Sequence, residues 1–114
     1  MENELKVLQE TDHPNIPKVF EIFENEQHYI IVSEMIAGGN MLEMMHKKKK
    51  IDEKWAAKII KQTLLALNYM HNQNIMHRDV KLENLLVVPQ RSKDDPIVVK
   101  LTDFGFAQYY DEGE

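Results

Sequence analysis

Two short stretches of this chain hold side chains suited to handling a metal-bound phosphate. The first is His77-Arg78-Asp79-Val80-Lys81-Leu82-Glu83-Asn84; the second, Asp103-Phe104-Gly105, begins nineteen residues after Asn84. Among their side chains are the carboxylates of Asp79 and Asp103, the Lys81 ammonium group and the Asn84 amide oxygen. Carboxylate and amide oxygens are hard donors that suit magnesium, and a correctly placed carboxylate can take a proton from a hydroxyl. The chemistry they fit is phosphoryl transfer, which depends mainly on positioning and on neutralising charge at the phosphate oxygens. A single Asp or Asn in a loop ordinarily serves as a turn residue. The joint pattern is different: five residue types at fixed offsets arise by chance in roughly three of a hundred thousand chains this long, taking about one in twenty per position.

The elements that must position these residues can be read outward from them. Leu85 to Val88 and Ile97 to Leu101 form two short predicted strands joined by Pro89 to Pro96, so loop, strand, turn, strand and Asp-Phe-Gly follow in order. Upstream, Asp52 is the expected N-cap of a long helix. Its stripe of Trp55, Ala56, Ile59, Ile60, Thr63, Leu64, Leu67 and Met70 predicts a core face rather than a cofactor box. Met41 to Lys47 predicts a shorter helix. Val19 to Glu24 and His28 to Glu34, either side of Asn25-Glu26-Gln27, predict a β-hairpin whose second strand is broken by Ala37-Gly38-Gly39. Glu2 to Thr11, with Leu5 and Leu8 on one face, predicts a helix ended by Asp12-His13-Pro14. There is no internal repeat and no low-complexity segment.

Composition narrows the partners. A chain of 114 residues supports one domain, and 14 basic against 19 acidic residues give a net charge of −5. That balance argues against nucleic acid or an anionic membrane as the main partner. The run Lys47-Lys48-Lys49-Lys50 reads as a solvated connection between two helices. Cysteine is absent, which excludes disulfides and thiolate zinc sites, and His13, His28, His46 and His71 lack zinc-ligand spacing. No apolar stretch reaches the roughly twenty residues of a membrane span. A cytoplasmic or nuclear location is the default.

The two motifs resemble the catalytic loop and the Asp-Phe-Gly of protein kinases, and the order of elements resembles that family over nearly the whole chain. Lys81, two residues after Asp79, is the serine/threonine form of the loop. The hairpin, Gly38-Gly39 and His13-Pro14-Asn15 look most like the calcium-dependent and calmodulin-dependent kinase group. The resemblance implies an α+β, partial protein-kinase-like fold: residues 1–33 as the small-lobe helix and hairpin, 34–40 as the hinge, and 41–114 as the first part of the helical large lobe. It also implies ATP and Mg2+ as cofactors and a protein Ser/Thr hydroxyl as acceptor. In that frame Asp79 is the catalytic acceptor of the hydroxyl proton, Lys81 holds the γ-phosphate, and Asn84 and Asp103 ligate the metal. Adenine would lie against the backbone of Glu34 and Ile36, with Leu86 and Met41 beneath the ring. Ser33 controls access behind it, and its small side chain leaves room for bulky aromatic inhibitors. Glu4 is the regulatory-helix glutamate, Arg78 receives an activation-segment phosphate, and His77 and Phe104 stack with Leu8 and Val19 in the column joining the lobes.

Some positions depart from the family pattern. Leu82 stands where proline is usual, with no donor or ligand lost. Asn40 stands where related kinases often have Glu, and Glu83 remains for the ribose or for a basic substrate residue. No glycine-rich loop or lysine strand precedes the first helix, and no Ala-Pro-Glu follows. The expectation is therefore an incomplete catalytic domain, inactive alone, whose uncovered strand edge at His28 to Glu34 favours an oligomer or swapped dimer. The alternative is a non-catalytic interaction or nucleotide-binding module derived from a kinase.

Overall fold

A computed structural model describes residues 9–26, 29–48, 50–76, 80–102 and 108–109. The helix expected over 2–11 lies outside these apart from its end. Two strands, β1 (Val19–Glu24) and β2 (Tyr29–Ser33), form the expected antiparallel hairpin, with a bulge between Val19 and Glu21. Their sheet has two strands, so the outer edge of β2 is unpaired among the described residues. Much of the apolar surface supplied by Phe20, Phe23, Ile30 and Val32 stays exposed.

After the hairpin the chain turns through Gly38 and Gly39. A Cβ on Gly38 would run into the carbonyl group of Val87, and Gly39 sits at φ +78°, a region that disfavours other residues. The turn hands over to Asn40, whose side-chain oxygen accepts from the Glu43 N–H at 2.9 Å and caps helix α1 (Met41–Lys47). Helix α2 (Glu53–Asn72) starts at the predicted cap, where Asp52 accepts from the Lys54 N–H at 3.0 Å. It ends without glycine: Asn74 takes the left-handed conformation at φ 61°, which redirects the chain toward the 77–84 loop.

A two-residue strand β3 (Ile75–Met76) pairs with β6 (Gln108–Tyr109), a ladder too short to be read from sequence. A single 3-10 turn (Leu82–Asn84) then leads into β4 (Leu85–Val87), which pairs antiparallel with β5 (Val99–Leu101). Both strands are shorter than predicted, although the Val88 N–H still reaches the Val98 carbonyl at 2.9 Å.

The core sits where α1 and α2 cover the β4–β5 pair, with Ile16, Met41, Ile59, Ala66, Met70 and the inward residues of both strands buried. The predicted stripe on α2 is too broad. Ile59 and Met70 are buried and Trp55 and Leu67 pack against the core, but Ile60 and Leu64 are 58% and 59% exposed. The buried face follows residues 55, 59, 62, 66 and 70 instead, and so includes a glutamine. Gln62 lies beside β5 and behaves like a neighbouring strand. Its Nε2 donates to the Ile97 carbonyl, and its Oε1 accepts from the Val99 N–H, both at 2.9 Å.

The same Gln62 oxygen accepts from Asn15 Nδ2 at 2.9 Å; this Asn15 nitrogen also donates to the Val99 carbonyl, while the Asn15 carbonyl accepts from the Leu101 N–H at 2.8 Å. Next to it, His13 Nδ1 accepts from the Asn15 N–H and its ring lies against Tyr69. Burial lowers the His13 pKa, the nearby Asp12 charge opposing, and so favours the neutral ring that can accept this bond. Among the described residues no helix is long and apolar enough to cross a membrane.

Candidate active site

The β4–β5 ladder links the end of the first chemistry-bearing stretch to the residue that precedes the second. Leu85 pairs with Leu101, and one step beyond that pair the Thr102 N–H donates to the Asn84 carbonyl at 2.8 Å. Thr102 immediately precedes Asp103 in sequence, so the end of the first stretch lies against the residue before the second. Asn84 is itself 6% exposed and held in the 3-10 turn by its own N–H, which donates to the Lys81 carbonyl at 3.0 Å. A ladder of three residue pairs thus brings Asn84 and Thr102 together across the strands and turn that separate them in sequence.

Lys81 and Glu83 are exposed on either side of Leu82. Asp79, Arg78, Asp103, Phe104 and Glu4 lie outside the described residues. Among the described residues no three His, Cys, Asp or Glu side chains gather as metal ligands. The donor that is described, Asn84, supplies a hard amide oxygen and adjoins the sequence position of a carboxylate, a set whose chemistry fits magnesium.

The connection after β2 runs past the same strands. Glu34 closes the hairpin, its N–H donating to the Lys18 carbonyl at 2.8 Å and its carboxylate accepting from the Lys18 N–H at 3.1 Å. That carboxylate also meets Lys100 Nζ of β5 at 2.6 Å. The Lys100 hydrogen bond, more than the backbone contact and against partial burial, holds the Glu34 carboxyl below the usual carboxylate range. Lys100 was missed in the sequence because no local pattern links residues 66 apart. Met35 projects with 90% exposure, Ser33 is exposed and Ile36 half-buried.

Leu86 is half-buried and forms an isolated bridge with Asn40, and the Val87 N–H donates to the Gly39 carbonyl at 2.8 Å. These bonds lay the end of the connection along β4. Met41 is 0% exposed in the core. It presents no surface to a ring, so of the two residues expected beneath adenine only Leu86 is accessible.

Comparison with known proteins gives one consistent picture. A family described as the protein kinase domain matches residues 1–114. Calcium/calmodulin-dependent protein kinase type 1 of Macrobrachium nipponense is 37% identical over 99% of this chain and 32% of its own length. Serine/threonine-protein kinase DCLK3 of Mus musculus is 41% identical over 96% of this chain and 14% of its own length. Calcium-dependent protein kinase 4 of Plasmodium falciparum is 37% identical over 95% of this chain and 20% of its own length. The chain therefore spans a third or less of these relatives.

Proposed function

The chain belongs to the protein kinase domain family, and from that premise we propose that it carries the catalytic loop of a serine/threonine protein kinase that transfers the γ-phosphoryl group of Mg-ATP to a protein hydroxyl. The observation that best supports this reading is the Thr102 to Asn84 hydrogen bond, which sets the residue that precedes Asp103 in sequence against the end of the first motif. Asp79 accepts a hydrogen bond from the substrate hydroxyl and takes its proton late in the transfer. Lys81, exposed beside it in sequence, holds the γ-phosphate oxygens. The Asn84 amide oxygen and the Asp103 carboxylate hold magnesium, which when bound neutralises charge on the transferring phosphate.

Backbone groups of Glu34 and Ile36 receive the adenine edge and Leu86 lies under the ring, while Met41 supports this floor from within the core. Glu83 serves the ribose or a basic substrate residue, and Ser33 sets the room behind adenine. Arg78 receives an activation-segment phosphate, Glu4 pairs with a lysine on a preceding strand, and Phe104 stacks between the lobes. The free edge of β2 is where an oligomer or a swapped dimer would form, and the cytoplasm or nucleus, where ATP is abundant, is the expected setting.

The test is phosphotransfer from Mg-ATP to a serine peptide by the protein that carries this chain. Asp79→Asn and Asp103→Asn should each lower the rate about 100-fold or more without changing the melting temperature. Wild-type rates in both variants would sink this reading and leave the non-catalytic module.

A further inference from the structure

Lys48, in the connection between the helices, borders a cleft that uses none of the residues assigned to phosphoryl transfer. It lies between the end of α1, the first turns of α2 and the 90–97 loop, encloses about 600 Å³ and is floored by Met44, Trp55 and Ile97. Its size falls within the range of ligand-binding clefts. None of its lining residues belongs to the 77–84 or 103–105 stretches.

The charges around that floor are unequally engaged. Lys48 places its ammonium 3.6 Å from the centre of the Trp55 ring, a cation–π contact that fixes one positive charge at the rim. Lys54, Lys58 and Lys93 complete the basic rim, all exposed, and among the described residues no carboxylate pairs with them. Two of the three aspartates at the cleft are already committed to backbone. Asp52 accepts from the Lys54 N–H, and Asp95 accepts from the N–H groups of Arg91 and Ser92, each at 3.0 Å. The lining sets Lys48, Lys54, Lys58 and Lys93 against Asp52, Asp94 and Asp95, a local excess of one positive charge in a chain that carries −5 overall.

We propose that this cleft docks a short acidic peptide segment of a partner protein, with one apolar side chain against Trp55 and flanking carboxylates facing Lys54, Lys58 and Lys93. A peptide fits better than a nucleic acid because the floor is apolar and aspartates interrupt the basic rim, whereas a nucleic-acid footprint is a continuous basic stripe. The docking is independent of phosphotransfer, since it uses no residue assigned to that chemistry.

Trp55 is the only tryptophan, so its fluorescence reports the cleft directly. The intact chain is titrated with a tryptophan-free peptide carrying Glu and Asp around one Leu. Parallel titrations use the same peptide with Lys for each acid, the peptide with Ser for Leu, and a single-stranded oligonucleotide. A saturable signal is expected with the acidic peptide alone, weakened at high salt. Combined Lys54→Glu, Lys58→Glu and Lys93→Glu should weaken it about 10-fold or more, and the neutral Gln triple variant by less. Lys61→Glu, on another part of α2, should leave it unchanged. Circular dichroism establishes that each variant is folded, and the Gln triple carries the test if the Glu triple is not. Absence of saturable binding at millimolar peptide, indifference to the lysine changes, or equal binding of the basic peptide or the oligonucleotide would overturn the proposal.

Discussion

The ladders β1–β2 and β4–β5 are both two-stranded and antiparallel, yet the longer one is the less buried. The hairpin aligns five residue pairs and leaves Phe20, Phe23 and Ile30 more than half exposed. The β4–β5 ladder aligns three pairs and buries Leu85, Val87, Val99 and Leu101 almost completely. The difference is cover: α2 packs on β5 and α1 on β4, while neither of these helices packs on the hairpin to a comparable extent, and a bare two-stranded hairpin is marginal in water. Asn84, at the end of the first motif, leads directly into the covered ladder. Glu34, at the end of the hairpin, reaches that ladder through its ion pair with Lys100.

This contrast can be broken most forcefully at Leu101. Truncation to Ala should cost about 3 kcal/mol by urea denaturation, through lost burial and the cavity left behind, whereas Phe23→Ala should cost less than about 1 kcal/mol. Equal losses would abolish the distinction between the ladders. A step down in size, Gln62→Ala strands the Val99 N–H, the Ile97 carbonyl and one Asn15 bond, for a loss on the order of 2 kcal/mol. Hydrogen exchange should then accelerate in β5 more than in β1.

The smallest effect sharpens the contrast from the hairpin side. Because the Glu34 pKa is lowered in the folded state, its contribution is fully present above the unfolded value of about 4.5 and is lost as pH falls through the lower, folded value. Glu34→Gln should therefore cost at most about 1 kcal/mol at neutral pH. The gap from wild type should close on acidification below the ordinary carboxylate range, as followed by pH-dependent melts.

How much of this was legible depended on whether the signal was local. The caps Asn40 and Asp52, the hairpin and the Gly38-Gly39 turn act within a few residues, and only Asn40 went unremarked as a cap. The two motifs were legible because their offsets are fixed in sequence. Hydrophobic periodicity overextended the core face of α2 to Ile60 and Leu64 because it counts apolar residues and passes over Gln62, whose value lies in partners 35 and 37 residues away. Asn15 and Lys100 were hidden for the same reason, and β3–β6 because two-residue strands carry no period. Met41 has the residue type of a ring contact, but burial decides its place, and sequence type does not report burial.

The bonds of Asn15 bear on synthesis and folding order as well as on packing. Val99, the acceptor of its side chain, lies 84 residues further on, whereas β4 and β5 are joined by a short connection. Closing the short loop costs less chain entropy, so the β4–β5 ladder can form as soon as both strands exist, while the Asn15 segment must wait for nearly the whole described chain to leave the ribosome. Through that interval the N-terminal segment has no partner on β5.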